Sequence, residues 1–331
     1  LTKNGLAGRF TGIMSKICYS APGKVIFSGE HSVVWGEPAL LAAIDLRLKF
    51  TVESSSKQFK FEDPRLGKVV EIVKDYLVSQ NIPFEDKTFA YHIDSNIPMS
   101  RGFGSSAALS VAAIAAFLEF FGGKVFDTSI VNQLAYQSEV NFHGKPSGAD
   151  NSASSFGGFV WFRKEFEFLK VVEKLPFEIS SEIQDRIFLI DSGDRKETTK
   201  FMVELVKFAM EENPAMYKKM IRDMGKTTKA LTLALAENKA ESIKHIIDHN
   251  QKLLQKLGVV SEKTRLFLQG LKQFGSGKII GAGGILEGSG YILFWREGNK
   301  KTKEALLNYL DNKMIPYFPL SISNEGLKKE I

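Results

Sequence analysis

Cysteine is almost absent from this 331-residue chain, in which Cys18 is the single one. A disulfide framework and any cysteine-based zinc cluster are excluded, so the core has to be held by burial alone. Histidine is scarce too, with five residues. His245 and His249 have a helical spacing that could hold a metal, but Ile246 stands where the H-E-x-x-H motif needs its glutamate. No third ligand is evident, and the pair reads as a polar helix face. Long apolar runs are missing. The longest, 107–118, is interrupted by Ser110 and falls short of the roughly 18 residues of a bilayer span. Blocks of like charge are missing as well. The 44 basic and 38 acidic residues, net +6, are interleaved, as in Lys196-Glu197 and Glu237-Asn238-Lys239. The basic surplus therefore reads as solvated helix faces, not as a nucleic-acid stripe. The first 13 residues are polar and glycine-rich, without the apolar centre of a signal peptide. Met14-Ser15-Lys16 reads as a native start, with residues 1–13 as an added or misassigned leader. These absences give the expectation of a cytoplasmic protein whose partners include neither membrane nor nucleic acid.

What is present is an ordinary globular composition, 44% hydrophobic and 25% charged, at a length suited to about two domains. Short strands are expected at 16–21 and 24–28, around a Pro22-Gly23 turn. One or two strands follow over 39–53. Residues 66–78 carry Leu66, Val69, Val70, Val73 and Leu77 at helical spacing. A strand at 89–93, a loop at 94–104 and an apolar helix over 105–121 come next. An amphipathic helix at 128–141 and strands at 157–162 and 186–191 complete the first part. Residues 195–274 are almost wholly helical in pattern, with a break at Pro214 and a helix end at Gly258. Strands at 277–280 and 290–295 and a helix at 300–309 close the chain. The texture changes near 174–183, without an internal repeat or low-complexity linker. The reading is an α+β chain in two parts, 14–183 and 184–331.

Three segments ask for chemistry. In Pro98-Met99-Ser100-Arg101-Gly102-Phe103-Gly104-Ser105-Ser106-Ala107-Ala108, a glycine loop opens directly into the apolar helix. Glycines let the backbone approach a ligand, and first-turn N–H groups with the helix dipole form an anion cradle suited to phosphates. The serines can add a hydroxyl to a metal ion. Gly102-x-Gly104-x-x-Ala107, with Glu119, also mimics a dinucleotide fingerprint, but no strand leads directly into it. Gly225-Lys226-Thr227 imitates the end of a Walker A loop, yet Met220 stands where its first glycine belongs. Protein-kinase H-R-D and D-F-G signatures are missing. The first cluster, 20–36, places Lys24 at the start of an apolar strand and Glu30-His31 in the turn after it. The third, 139–153, sets Glu139 near a helix end and Asp150 after a Gly/Pro/Ser turn. One carboxylate could hold Mg²⁺ while the other acts on a hydroxyl; taken alone, Asp150 is also a good helix N-cap. A fourth glycine run, Gly281-Ala282-Gly283-Gly284, lies between two strands.

Together these segments resemble the superfamily of galactokinase, homoserine kinase, mevalonate kinase and phosphomevalonate kinase (the GHMP kinases). The superfamily motif P-x-x-x-G-x-G-S-S-A-A matches 98–108 in full, and its G-A-G-G motif matches 281–284. The stretches 21–36 and 143–151 are most similar to the mevalonate kinase branch. The resemblance implies a two-domain fold: an N-terminal ribosomal-protein-S5-domain-2-like α/β domain and a C-terminal ferredoxin-like, helix-rich α/β domain. It implies ATP-dependent phosphorylation of mevalonate, or alternatively of phosphomevalonate or another small alcohol, with Mg²⁺. Asp150 and Lys24 would be catalytic. Pro98, Arg101, Gly102, Gly104, Ser105, Ser106 and Ala107 would bind ATP. Lys24, Glu30, His31, Asp150 and Thr199 would meet the acceptor, and Ser106 and Glu139 would hold the metal. A homodimer is an expectation by analogy. The chain departs from the family at Ile285-Leu286-Glu287, where further glycine and a cysteine are usual, and at Leu109, where many members carry tyrosine. The first departure bears on how closely that backbone approaches the phosphate loop. Two other classes, an RNA binder and a nicotinamide oxidoreductase, have weak support in scattered charge and an isolated glycine fingerprint.

Overall fold

The computed structural model describes residues 16–57, 61, 63–99, 101–143 and 147–331, without the side chains of 142 and 143. The expectations for residues 1–13, Met14-Ser15, Ser100 and the 144–146 turn lie outside these. The chain opens with β1 (Ile17–Ser28), a 3-10 turn (Ser32–Trp35) and β2 (Ala39–Ser54). Pro22-Gly23 is not a turn. β1 runs through it, with register shifts between Pro22 and Gly23 and between Ile26 and Ser28 against β2. A proline lacks the ladder N–H and is tolerated at such a bulge. Past the shift Lys24 is in register with Ala43 of β2, and its N–H donates to the Phe103 carbonyl at 2.8 Å. A Cβ on Gly23 would lie 2.9 Å from that same oxygen, so the contact needs glycine.

Next come α1 (Pro64–Ser79), β3 (Phe89–Ser95), α2 (Ser105–Gly122), α3 (Thr128–His143), α4 (Ala149–Phe156), β4 (Phe159–Lys164), β5 (Lys170–Lys174) and α5 (Ser181–Asp185). The first sheet has the order β5-β4-β2-β1 and continues to the last strand of the chain, while β3 pairs with the far half of β2. α2 packs on β1 and β2 and is flanked by α1, α3 and α4. By length and composition its 18 residues would suffice for a membrane span, more than the interrupted apolar run had suggested. They are 78% buried within the protein. A helix apolar all round is a core helix here, and side chains such as Phe117 and Ile114 each contribute about 1.5–3 kcal/mol by leaving water.

The second part holds β6 (Ile187–Asp191), α6 (Thr199–Glu212), α7 (Pro214–Ala236), α8 (Ala240–Lys256), α9 (Glu262–Leu271), β7 (Gly275–Ile279), β8 (Tyr291–Arg296), α10 (Lys300–Asn312), β9 (Tyr317–Pro319) and β10 (Lys328–Glu330). Pro214 starts α7 where its missing N–H costs nothing. Gly258, at φ 82°, follows the end of α8. The second sheet is antiparallel, in the order β7-β8-β6-β9. The two sheets share a core: the cluster around α2 continues into Leu189, Leu293 and Trp295. The chain then crosses back, and β10 pairs with β1. Arg47 fastens this return by donating to Ser20, Ser323 and the Glu325 and Gly326 carbonyls. β5, α5, β9 and β10 were not expected from the sequence.

Candidate active site

Two helices begin at left-handed glycines and meet at one lysine. Gly104 (φ 70°) caps α2 without any side-chain hydrogen bond, and Gly148 (φ 94°) does the same for α4. Among the described residues no side chain caps the first-turn N–H groups of α2, and the helix dipole adds positive potential there. Gly102 is also left-handed, at φ 91°. A Cβ on Gly104 would sit 2.9 Å from the Lys24 side chain, so glycine lets the lysine stem lie across the helix start. Lys24 donates to the Gly102 carbonyl at 3.1 Å and pairs with Asp150 Oδ2 at 3.1 Å. It is a buried lysine, only 4% exposed, whereas the Asp150 side chain is 42% exposed. Asp150 lies in the first turn of α4 and is not its N-cap, a role taken by Gly148. A buried ammonium and an accessible carboxylate at an anion cradle can hold a phosphoryl group and a hydroxyl next to each other.

Ser106, in the first turn of α2, donates to Glu139 Oε1 at 2.9 Å, and Ser110 donates to the same oxygen at 3.3 Å. Glu139 is buried. The charge of Arg65, held chiefly by its hydrogen bonds to Asp63, also interacts with Glu139. The spacing along α2 and α3 places a carboxylate and a hydroxyl, both hard oxygen donors, beside the cradle. Among the described residues no group of three or more His, Cys, Asp or Glu side chains could hold a metal. His245 and His249 are exposed on α8.

Glu30 and His31 are buried in the turn after β1. His31 has φ 59°, and its Nε2 lies 3.0 Å from the Ala282 carbonyl. A carbonyl only accepts, so Nε2 carries the proton. Burial pushes the imidazole down to about 4, leaving it neutral at pH 7. Glu30 pairs with Lys278 of β7, both with fully buried side chains. Lys278 was not anticipated. The signal was a lone cation between a Gly-Ser-Gly and an Ile-Ile pair, directly ahead of a glycine run, where a strand is expected to be apolar.

Arg101 of the glycine loop reaches the second sheet. Its Nη1 lies 3.0 Å from Asp191 Oδ2, and its Nη2 lies 2.8 Å from Asp194 Oδ1. Pro98 and Ser105 are half-buried along this loop and Ala107 is buried. Thr199 is exposed at the start of α6 and accepts from Arg195 at 3.3 Å. The ends of the fourth glycine run do approach the loop. The Ile280 carbonyl lies 3.4 Å from where a Cβ on Gly102 would be, and a Cβ on Gly290 would lie 3.2 Å from the Arg101 carbonyl. Ile285-Leu286-Glu287 leaves this approach intact because it bulges elsewhere. Ile285 and Leu286 donate to Glu197 Oε1 at 2.8 and 2.7 Å, and Glu287 pairs with Lys263. Desolvation would raise Glu197, but those backbone N–H groups hold it below its ordinary value.

The family model described as the GHMP kinases N terminal domain matches residues 66–158, which include the glycine loop, Glu139 and Asp150. A mevalonate kinase of Archaeoglobus fulgidus is 34% identical over 80% of this chain and 88% of its own length. One from Pyrococcus furiosus is 32% identical over 95% of this chain and 98% of its own. The crystal structure of L. major mevalonate kinase in complex with R-mevalonate has a similar fold, with a TM-score of 0.74 and 22% identity over 94% of this chain and 97% of that one. With this identity sustained over nearly the full length of its relatives, the chain belongs to the mevalonate kinase family of the GHMP kinases.

Proposed function

We propose that the protein transfers the γ-phosphoryl group of ATP to mevalonate, yielding 5-phosphomevalonate in the mevalonate route to isoprenoids. The observation that carries this reading is Lys24, buried between the Gly102 carbonyl of the phosphate loop and the Asp150 carboxylate. The first-turn amides of α2, with Gly102, Gly104 and Ser105, would cradle the triphosphate. An open surface depression lined by Asp63, Pro64, Arg65, Tyr91 and Ile93 would offer an aromatic and an aliphatic surface to the nucleoside. Phosphoryl transfer passes through a loose transition state, so positioning and charge neutralisation dominate. The acceptor oxygen bonds to the γ-phosphorus as the bond to the β,γ-bridging oxygen breaks, and ADP leaves. Asp150 orients the hydroxyl and accepts its proton late, while Lys24 neutralises charge on the phosphoryl oxygens. Glu30, His31 and, from the start of α6, Thr199 with Arg195 would surround the rest of the acceptor.

The donor set at Ser106 and Glu139 fits Mg²⁺: two hard oxygens from the protein leave the remaining positions to phosphates and water. When bound, the ion neutralises phosphate charge. The parts 14–183 and 184–331 are proposed as the two domains, with β10 returning to the first. The deciding experiment is ADP release with mevalonate as sole acceptor, beside phosphomevalonate and other small alcohols. Mevalonate-dependent release is expected. Release with phosphomevalonate alone would transfer the assignment to that substrate, and release with neither would end the kinase reading.

A further inference from the structure

Lys278 lies on β7, the edge strand of the second sheet, yet its side chain is fully buried against the first. Its amine donates to the Glu30 carboxylate, to the Ile279 carbonyl at 2.7 Å and to the Ile26 carbonyl at 3.4 Å. Three acceptors match the three N–H bonds of an ammonium, whereas a neutral amine has two. Burial pushes Glu30 up and Lys278 down, and their mutual attraction opposes both shifts; the acceptor count decides for the charged pair. A sealed ion pair adds little stability over apolar residues of the same shape, because the desolvation of both ions offsets the attraction. Its presence beside Lys24 therefore points to a role other than stability. The other Glu30 oxygen, Oε2, is buried without a hydrogen-bond partner among the described residues, as is Nδ1 of His31 next to it. The groups that act on the Glu30 carboxyl are Lys278 from β7, Lys24 from β1 and the N–H of its own turn, with His31 neutral. Charges thus alternate from Lys278 through Glu30 and Lys24 to Asp150.

We propose that Lys278 is a positioning residue for phosphoryl transfer: anchored in the second sheet, it holds Glu30 as a fixed carboxylate beside Lys24, so that the acceptor side of the site is complete only when both sheets are docked. This rests on the kinase reading above. Without Lys278, burial acts on Glu30 against only the N–H of its own turn and the charge of Lys24, and the carboxyl takes up a proton.

The test compares wild type with Lys278→Met and with the double variant Glu30→Gln/Lys278→Met, which removes both charges with little change of shape. Kinetics are recorded from about pH 5 to about pH 8, and thermal unfolding is followed for each protein. The double variant should unfold close to wild type and lose roughly 10²-fold in kcat/KM for mevalonate, the scale of a small misplacement. Its KM for ATP should stay near wild type. Lys278→Met should gain an ascending limb in kcat/KM with pH, as Glu30 loses its proton, that neither wild type nor the double variant shows. A uniform loss at every pH is what a merely structural role would produce. A folded double variant with wild-type kcat/KM overturns the proposal, and it decides the matter alone if Lys278→Met does not fold. A Lys278→Met profile parallel to wild type overturns it as well. If wild type itself releases no ADP with mevalonate, the kinase reading fails and this proposal with it; turnover by wild type separates the two outcomes.

Discussion

Two lysine–carboxylate pairs stand on either side of the site, and they differ in exposure. Lys24 is buried but its partner Asp150 is open to solvent, whereas Lys278 and Glu30 are both sealed. The difference teaches what each can do. A half-open pair can exchange partners, since the carboxylate can turn from an ammonium to an incoming hydroxyl at small desolvation cost. A sealed pair cannot exchange anything and instead fixes the frame in which the open pair works. Local sequence agrees with this division: Asp150 follows a glycine cap at a short helix start, and Glu30 follows a strand whose neighbours are apolar.

The comparison is broken most strongly at the open pair. Asp150→Asn is expected to lower kcat by roughly 10²–10⁴-fold, the span of a lost general base, with thermal unfolding unchanged; near-wild-type turnover would remove Asp150 from the chemistry. Beside the sealed pair, at His31, the expected effect is on stability. The folded value of His31, about 4, lies below the ordinary 6.5. The unfolded chain therefore takes up the proton first as pH falls. His31's contribution is intact above pH 6.5 and is lost as pH drops toward about 4, by roughly 3 kcal/mol at most. Denaturant unfolding of wild type and His31→Gln at both ends of that window should show the difference shrinking in acid, and equal losses in both proteins would place the ring in solvent. Smaller still, Ser106→Ala and Glu139→Gln should each raise the Mg²⁺ needed for half-maximal turnover by roughly ten-fold; an unchanged titration argues against both as ligands. At the bottom of the scale, Lys68→Ala breaks an exposed pair with Glu71 and should alter neither turnover nor unfolding.

Much of this was legible in the residues. α2 was expected at 105–121 and is found at Ser105–Gly122, because a long apolar run broken only by Ser110, with a glycine on either side, admits one local answer. Pro214 and Gly258 marked helix ends for equally local reasons. The pairing of Lys24 with Asp150 and of Ser106 with Glu139 follows motif positions that the sequence displays. Pro22-Gly23 misled, since a dipeptide of turn character was overruled by pairing with β2 along both of its sides. β10, made of Lys328, Lys329 and Glu330, has no apolar alternation to detect and exists because β1 offers it an edge.

Local chemistry in the chain was enough to specify the cradle, because glycine at φ 70° and the free amides of a helix start are properties of a few consecutive residues. It was enough for the apolar helix behind the cradle as well. The partner of Glu30 was a different matter. Nothing near residue 30 demands a cation, and Lys278 is 248 positions away. Their pairing arises from the docking of two sheets over a shared core, where each charge is stripped of water and has to find its counter-charge across the interface.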